Sequence, residues 1–207
     1  MKNYIQVSKT FRYFTLGNPE KAKKLLVVLH GYGQLPEYFI QKFKAFENDY
    51  FIVAPEGMHR FYLKGSSGRV GASWMTKEER LTDISDTINY LNSLYSHIAQ
   101  RFDVNQISIL GFSQGAATAA RWFYSNENLA NELIIWASVF PPDLEISVEI
   151  NPSFSFTNKF VIGKHDEYFT QEQQNELIEF YKDKGFEVFQ FDGKHDIDSS
   201  TLTRVLS

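Results

Sequence analysis

Residues Ile107–Ala120 read ISILGFSQGAATAA, an apolar run followed by a stretch of small residues. Between the two stands the pattern G-x-S-x-G, formed by Gly111, Ser113 and Gly115. A serine on a sharp turn from strand to helix has strained backbone angles, and its neighbours two residues away must be small. Such a short pattern can arise by chance, but the apolar strand before it and the helical stretch after it favour a reactive serine. The stretch therefore predicts that Ser113 is a nucleophile at the carboxyl end of a buried strand.

A glycine-rich turn early in the chain complements this serine. A serine nucleophile needs two backbone N–H groups that point at the negative charge developing in the reaction. We predict that the amide of Gln114, directly after the serine, is one of them. The turn His30-Gly31-Tyr32-Gly33 follows the apolar run Leu25–Leu29, and its glycines allow close backbone approach. Such turns are common on their own, but beside G-x-S-x-G this one predicts the Tyr32 amide as the second donor.

The general base has to be chosen among five histidines. Open parallel sheets place ligands and catalytic groups at the carboxyl ends of their strands, and the order nucleophile, acid, base puts the base late in the chain. His195 meets both conditions because it comes just after the last predicted strand. We expect His30 to orient the glycine-rich turn and His97 to face solvent from a long helix. His59 and His165 lie in loops.

The acid that orients the base is expected at the end of a strand between Ser113 and His195. The run Lys159–Ile162 ends in Gly-Lys-His-Asp-Glu, which makes Asp166 the leading candidate. Glu167 is the close competitor, and a solvated surface charge is the alternative for either. Three further aspartates lie too near the base in the sequence for the usual architecture: Asp192, Asp196 and Asp198.

Continuous apolar runs alternate with helical patterns along the chain. Such runs are typical of strands buried on both faces, and the alternation predicts an α/β fold with a mostly parallel sheet and helices on both faces. Ahead of the sheet, residues 4–7 and 11–14 predict a short hairpin or a pair of edge strands. No repeat or linker interrupts the chain, so a single domain over residues 1–207 is expected. The predicted strands are 24–29, 50–54, 107–110, 133–137, 159–162 and a more alternating edge strand at 186–191.

Two helix starts carry a capping-box pattern. Thr76-Lys77-Glu78-Glu79 predicts the start of a long helix over residues 77–102, and Thr170-Gln171-Glu172-Gln173 predicts a second helix that Gly185 ends. Apolar residues follow the helical period in the long helix, at Leu81, Ile84, Ile88, Leu91, Leu94 and Ile98.

Two connections, residues 55–75 and 138–158, show no clear periodic pattern. Loops longer than about 12–15 residues in a compact domain are usually functional or disordered, and these two are rich in aromatic residues. One interpretation is that the aromatic residues pin the loops to the body of the protein. The other is that some of them line an apolar substrate cleft, for which we select Trp74, Phe140 and Leu144.

The composition limits the classes of function. The chain has 207 residues, 21 Lys and Arg, 25 Asp and Glu, and a net charge of −4. An acidic chain without a basic run has no electrostatic footprint for nucleic acid or an anionic membrane. The absence of cysteine excludes disulfides, thiolate metal sites and a cysteine nucleophile. Since no signal-peptide pattern and no apolar run of roughly 18 residues is present, we expect a cytoplasmic protein without a membrane span.

The motifs together resemble the small α/β-hydrolase family of carboxylesterases, phospholipase-type hydrolases and acyl-protein thioesterases. The similarity spans residues 24–198, and Ser73-Trp74 resembles the family as well. It implies an esterase of the Ser–His–Asp type that acts on carboxylic esters or thioesters, with neither a metal nor an organic cofactor. From the length of 207 residues we expect no separate cap domain.

The chain departs from the family pattern at three places. Gln34 stands where an acidic residue is frequent, Tyr168-Phe169-Thr170 replaces an aliphatic residue followed by proline, and Lys194 interrupts a Gly-Gly-His motif. These positions lie at the expected rim of the cleft, so the substrate preferences of the family are a poor guide to those of this protein.

The sequence therefore predicts a serine hydrolase that cleaves carboxylic esters, or thioesters, through an acyl-enzyme. Two alternatives stay open: the same triad acting on lactones or peptides, and a non-catalytic domain that binds acyl ligands. The expected partner is a small ester or acyl compound, and the protein is expected to be a monomer or a homodimer.

Overall fold

A computed structural model describes residues 1–100, 106–126, 129–145 and 158–207 of the chain. Most of the strands form one seven-stranded sheet in the order β1-β3-β2-β6-β7-β8-β9. Only β1 is antiparallel to its neighbour, and the other pairs are parallel. The predicted mostly parallel sheet is thereby confirmed. Its strands are β1 (Tyr13–Leu16), β2 (Lys24–Leu29), β3 (Tyr50–Pro55), β6 (Gln106–Phe112), β7 (Glu132–Trp136), β8 (Lys159–Gly163) and β9 (Glu187–Phe191).

Helices cover both faces of this sheet. The described helices are α1 (Pro36–Phe39), a 3₁₀ helix (Ile40–Phe46), α2 (Arg80–Ala99), α3 (Gln114–Tyr124), α4 (Gln171–Asp183) and α5 (Ser199–Leu206). None of these helices is long and apolar enough to cross a lipid bilayer.

Alternate residues of the central strands supply two separate cores. In β2, Leu25, Val27 and Leu29 belong to the core that α2, α3 and α4 cover. Leu26 and Val28 belong to the opposite core, under α1, the 3₁₀ helix and α5. Because both faces of β2 are buried, its sequence is a continuous apolar run and not an alternating one.

The start of the long helix α2 differs from its prediction. The helix begins at Arg80, after Glu79 with a φ of 55°, and the Thr76 hydroxyl donates to the carbonyl of Glu78. The left-handed backbone of Glu79 breaks the regular first turn that a capping box needs. Leu81, predicted on the apolar face, is 73% exposed.

The second capping box is confirmed. The side chain of Thr170 accepts a hydrogen bond from the amide of Gln173, and the side chain of Gln173 accepts one from the amide of Thr170. Gly185 follows α4 with a φ of 77°, a backbone conformation that glycine adopts without strain.

Two other expectations about local structure differ from the structure. Of the predicted hairpin or pair of edge strands, residues 4–7 form no strand, whereas residues 11–14 overlap β1, an edge strand that pairs with β3. The connection 55–75 is not irregular, since it contains the antiparallel strands β4 (His59–Tyr62) and β5 (Val70–Ser73). Most of the second long connection, residues 146–157 with Phe154 and Phe156, lies outside the described residues.

Candidate active site

Ser113 stands on the turn between β6 and α3. Its backbone φ of 53° and ψ of −121° lie outside the regions that residues with a side chain prefer. The amide of Ser113 donates to the carbonyl of Trp136 at 2.9 Å, so the end of β7 holds the turn in place. Strained backbones of this kind persist only where the surrounding structure fixes them, and they concentrate at functional sites.

The two glycines of the motif are required by close packing. A Cβ on Gly111 would lie 2.3 Å from the Cα of Ala116, and a Cβ on Gly115 would lie 2.3 Å from the carbonyl oxygen of Leu29. Any side chain at either position would therefore push α3 away from the sheet. Because neither glycine has a side chain, the first turn of the helix lies directly against the ends of β2 and β6.

His195 and Asp166 meet at the carboxyl ends of β8 and β9. Nδ1 of His195 donates to Oδ2 of Asp166 at 2.7 Å, and the Asp166 side chain is fully buried. The other carboxylate oxygen, Oδ1, accepts from the amide of Tyr168 at 3.0 Å. The carboxylate thus holds the imidazole in one orientation, with the second ring nitrogen, Nε2, directed away from it.

The competing acid and the neighbouring histidine occupy other positions. The Glu167 carboxylate accepts from the backbone amide of His195 at 3.3 Å and does not contact the ring. Hydrogen bonds from its own amide and from that of His195 lower the pKa of Glu167. His165 pairs with Asp192 at 2.8 Å on the surface, where both side chains are exposed. Of the two candidate acids, only Asp166 therefore contacts the imidazole.

Two aromatic rings flank the imidazole of His195. The ring of Phe112 lies 4.9 Å from it, centroid to centroid, and the ring of Tyr168 lies 4.4 Å from it. Phe112 is the residue directly before Ser113, so the histidine ring contacts the side chain that precedes the strained turn. Tyr168 is 70% exposed and covers the histidine from the solvent side.

The loop His30–Gln34, which we call the glycine loop, is fixed by contacts on either side of Tyr32. The amide of Gly31 donates to Oε1 of Gln34 at 2.9 Å, and the amide of Gly33 donates to the carbonyl of Ala72 in β5 at 2.8 Å. The Tyr32 amide lies between these two anchored positions. The amide of Gln114, at the first position of α3, has no intrahelical acceptor.

His30 is a structural part of this loop. It is fully buried, its Nδ1 donates to the carbonyl of Gly31 at 2.9 Å, and its Nε2 accepts from the amide of Gly57 at 3.0 Å. One nitrogen donates and the other accepts, as in a neutral imidazole. Burial lowers the pKa of His30 to about 4. The expectation that this histidine orients the glycine loop agrees with these contacts.

Trp74 is not accessible to a substrate. Its side chain is fully buried, its Nε1 donates to the carbonyl of His30 at 2.8 Å, and its ring lies 5.0 Å from that of His30. The side chain of Gln114 accepts from the Trp74 amide at 3.1 Å and donates to the carbonyl of Met75 at 3.0 Å. The prediction that Trp74 lines an open cleft was therefore wrong, since the tryptophan ties the glycine loop to the start of α3.

Phe140 and Leu144 pack against the body of the protein. Both are partly buried against the core under α2, α3 and α4. Between them, Asp143 accepts hydrogen bonds from the buried guanidinium of Arg121 at 2.8 and 2.7 Å, which lowers the pKa of the Asp143 carboxyl. The alternative interpretation, in which aromatic residues pin the loop, describes Phe140 well. Its ring neighbours are Tyr124, Phe180 and Tyr181.

A cavity of about 520 Å³ lies beside the glycine loop. Apolar and aromatic side chains form part of its wall, and two cationic side chains lie on its rim. The residues that matter below are Gly33, Gln34, Tyr38, Phe39, Lys42 and Arg69. Within the described part of the chain, no three His, Asp or Glu side chains are grouped so that they could hold a metal ion.

Sequence reasoning missed three contributors to this site. Tyr168 and Gln34 stand at positions noted only as departures from a family pattern, and that departure was the available signal. Ala72, whose carbonyl anchors Gly33, belongs to a hairpin that the sequence did not reveal. The carbonyl acts through the backbone, so no residue type could have indicated it.

A mostly parallel sheet with a strained serine between a central strand and a helix defines the α/β-hydrolase class. Over residues 19–204 the chain matches the family model described as serine hydrolase (FSH1). The protein therefore belongs to the FSH1 serine hydrolase family and is a hydrolytic enzyme.

Solved structures support the same fold. A carboxylesterase from Mesorhizobium loti superposes with a TM-score of 0.75 at 15% identity, over 95% of this chain and 94% of that one. Esterase PE8 gives 0.71 at 19% identity, over 96% and 98%. Acyl-protein thioesterase 2 from Zea mays gives 0.69 at 17% identity, over 94% and 95%. No curated protein sequence matches the chain.

Proposed function

We propose that the protein hydrolyses carboxylic esters of small molecules through Ser113, His195 and Asp166, by way of an acyl-enzyme. The observation that carries this proposal is the buried Asp166–His195 hydrogen bond of 2.7 Å beside the strained turn that holds Ser113. Thioesters belong to the same proposal because they present the same acyl carbonyl to the serine.

In the first half of the reaction, Oγ of Ser113 attacks the acyl carbon of the ester. Nε2 of His195 takes the hydroxyl proton and passes it to the leaving oxygen as the bond between the acyl carbon and that oxygen breaks. Asp166 holds the ring in the correct tautomer and stabilises the imidazolium. The alcohol leaves, and the acyl group remains bound to Ser113.

In the second half, a water molecule takes the place of the alcohol. His195 accepts a proton from the water, whose oxygen attacks the acyl carbon, and the proton then returns to Oγ of Ser113 as the carboxylic acid leaves. Among the described residues, neither the Ser113 hydroxyl nor Nε2 of His195 has a hydrogen-bond partner, which leaves both free for these transfers. A hydrogen bond between a nucleophile and its general base often forms or tightens only when substrate binds.

The negative charge on the acyl oxygen is stabilised by two backbone amides in this proposal, those of Tyr32 and Gln114. Support comes from the anchoring of Gly31 and Gly33 on either side of Tyr32 and from the position of Gln114 at the start of α3. A fixed donor needs no reorganisation as the charge develops, and each such donor contributes about 10²–10³ in rate.

The test is the exchange Ser113→Ala. We expect the hydrolysis of 4-nitrophenyl esters to fall about 10⁶-fold, to background, and covalent labelling by a fluorophosphonate to disappear. Ser93→Ala, an exposed hydroxyl on α2, is the matched control and should keep both activities. Labelling or turnover that survives in Ser113→Ala would show that another residue is the nucleophile.

A panel of substrates with one acyl group addresses the alternatives. Esters, thioesters, lactones and peptides are compared by kcat/KM on the same enzyme preparation. A strong preference for the peptide or the lactone would replace ester hydrolysis as the activity. A wild-type protein that binds acyl ligands but is never labelled would favour a binding domain.

A further inference from the structure

The cavity of about 520 Å³ lies next to the glycine loop of the proposed active site. Gly33 and Gln34, on its wall, directly follow Tyr32 in the glycine loop. Phe39, also on the wall, stacks on Phe112 with ring centroids 6.1 Å apart, and Phe112 in turn contacts His195. A substrate whose ester lies at Ser113 could therefore extend past the glycine loop into this cavity.

Two cationic side chains line the cavity. Arg69 is exposed and, among the described residues, has no carboxylate partner for its guanidinium. Lys42 also lines the cavity, and its Nζ contacts Oδ1 of Asp196, the residue after His195, at 2.8 Å. Since Asp196 already pairs with Lys42, Arg69 supplies an unneutralised positive charge.

The guanidinium of Arg69 is carried by a well-anchored hairpin. The carbonyl of Arg69 accepts from the amide of Leu63, which closes the turn between β4 and β5. The next strand lies directly on the glycine loop, since a Cβ on Gly71 would approach the carbonyl oxygen of Gly33 to 2.4 Å. The distance from this hairpin to the proposed oxyanion site is therefore fixed by backbone contacts.

The remaining wall is apolar and aromatic. Leu35, Tyr38, Phe39 and Val70 contribute to it, and Tyr38 is 69% exposed at the rim. A short carbon chain would pack on this wall, while a charged end group would lie near Arg69. An unpaired arginine beside an apolar wall matches a ligand with a carboxylate at the end of a short chain, because the planar guanidinium binds a carboxylate through two parallel hydrogen bonds.

We propose that this cavity is a substrate subsite for a carboxylate, in which Arg69 binds the anionic end of the ester. The preferred substrates are thus esters that carry a free carboxylate a few carbons from the scissile bond. This inference rests on the proposed function, because it assigns a substrate class to the same Ser113 centre.

The experiment compares anionic and neutral esters. The neutral reference is 4-nitrophenyl butyrate. One arm of the experiment places the carboxylate on the acyl group, in the mono-4-nitrophenyl ester of glutaric acid. The other arm places it on the leaving group, in 3-carboxy-4-nitrophenyl butyrate. We expect one of the two anionic esters to exceed the reference in kcat/KM at low ionic strength, mainly through KM. The arm that shows the preference identifies which side of the ester occupies the cavity.

Variants at Arg69 test the cause of this preference. Arg69→Gln is expected to raise KM about tenfold for the preferred anionic ester and to leave the neutral reference unchanged. Arg69→Lys should restore part of the preference, because it keeps the charge without the fork of two donors. Lys64→Gln, an exposed lysine in the same turn but not on the cavity wall, is the matched control and should retain the preference.

The outcomes separate this inference from the proposed function. Ser113-dependent hydrolysis without an anionic preference, or with a preference that survives in Arg69→Gln, overturns the subsite and leaves the esterase intact. If no ester is hydrolysed, calorimetric binding of glutarate and of 5-hydroxy-2-nitrobenzoate decides. Binding of either that Arg69→Gln weakens about tenfold supports the subsite, and absence of binding overturns it.

Discussion

Two buried acid–base pairs stand at opposite ends of the same sheet. At the carboxyl end, Asp166 and His195 meet at 2.7 Å, with side chains 0% and 12% exposed. At the amino end, Glu132 and Lys159 meet at 2.7 Å, with side chains 6% and 15% exposed. In distance and in burial the two pairs are nearly the same.

The pairs differ in what surrounds them. The second carboxylate oxygen of Glu132 accepts from the hydroxyl of Ser108 at 2.8 Å, and Lys159 also donates to the carbonyl of Val205. Both members of this pair are therefore tied to the fold, and the pair joins β6, β7 and β8 to the C-terminal helix α5. In the other pair, Nε2 of His195 is left without a partner among the described residues, beside a strained turn.

Burial and pairing alone therefore do not mark a reactive group in this protein. A pair whose members are all hydrogen-bonded within the protein stabilises the fold, whereas a pair with one unused nitrogen can move a proton. Variants of the two pairs test this difference: a change in the Asp166–His195 pair should reduce activity, and a change in the Glu132–Lys159 pair should reduce stability.

Of the changes to these two pairs, the largest expected effect is on activity, in Asp166→Asn. The amide can no longer fix the tautomer of His195 or stabilise its cation, so kcat should fall by about 10⁴. The free energy of unfolding should change by no more than about 1 kcal/mol, because the asparagine side chain retains a carbonyl that can accept from the Tyr168 amide. Ester hydrolysis and urea denaturation measure the two quantities on the same preparation.

Glu167→Gln is the matched control for this variant. It changes the adjacent carboxylate, which contacts only the backbone of His195. Its activity should stay within a small factor of the wild type. If Glu167→Gln lost as much activity as Asp166→Asn, the orienting role could not be assigned to Asp166 alone.

The next effect is on stability, in Glu132→Gln. The exchange leaves the ammonium of Lys159 largely buried without its counter-charge, which should lower the free energy of unfolding by about 3 kcal/mol. The kcat for ester hydrolysis should be unchanged, because the pair lies at the far end of the sheet from Ser113. Urea denaturation and steady-state kinetics provide the readouts.

Glu187→Gln, an exposed carboxylate at the start of β9, is the control for the loss of a negative charge. It should leave the unfolding midpoint almost unchanged. If Glu132→Gln were as stable as this control, the buried pair at the amino end would contribute nothing to the fold.

Much of the fold could be predicted because its signals are local. The runs in β2, β3 and β6 are apolar on both faces, and Gly111 and Gly115 are required by backbone contacts shorter than 2.5 Å. The order of Ser113, Asp166 and His195 along the chain then followed from the ends of the predicted strands. The structure brings Asp166 and His195 together at 2.7 Å, and the catalytic role of the trio is the proposal made above.

What could not be predicted depends on contacts distant in sequence. The strands β4 and β5 have only four residues each, so their periodicity is too short to detect. Tyr4 and Val7 have the composition of strands but lie exposed without a pairing partner among the described strands. Nothing in the sequence indicated that Nε1 of Trp74 would donate a hydrogen bond to the carbonyl of His30, or that the ring would be buried.

The smallest expected effect concerns His30, which shares the carboxyl end of the sheet with His195 but uses both ring nitrogens in structural hydrogen bonds. Burial lowers its pKa to about 4, below the usual value of about 6.5 in the unfolded chain. Between pH 6.5 and pH 4 the unfolded state therefore binds a proton more readily than the folded state, and stability falls as the pH is lowered through this range. Between pH 7 and pH 5 the free energy of unfolding should fall by about 2 kcal/mol from this group.

The contribution of His30 is isolated by comparing pH dependences. Urea denaturation at several pH values between 7 and 5 gives the slope for the wild type and for His30→Gln, which cannot titrate in this range. The difference in slope is the contribution of His30, whatever the stability of the variant itself. Equal slopes in the wild type and in His30→Gln would show that His30 binds a proton as readily in the folded state as in the unfolded one. In that case the neutral hydrogen-bonded imidazole would not be what holds the glycine loop, and the use of both ring nitrogens would no longer separate a structural histidine from a reactive one.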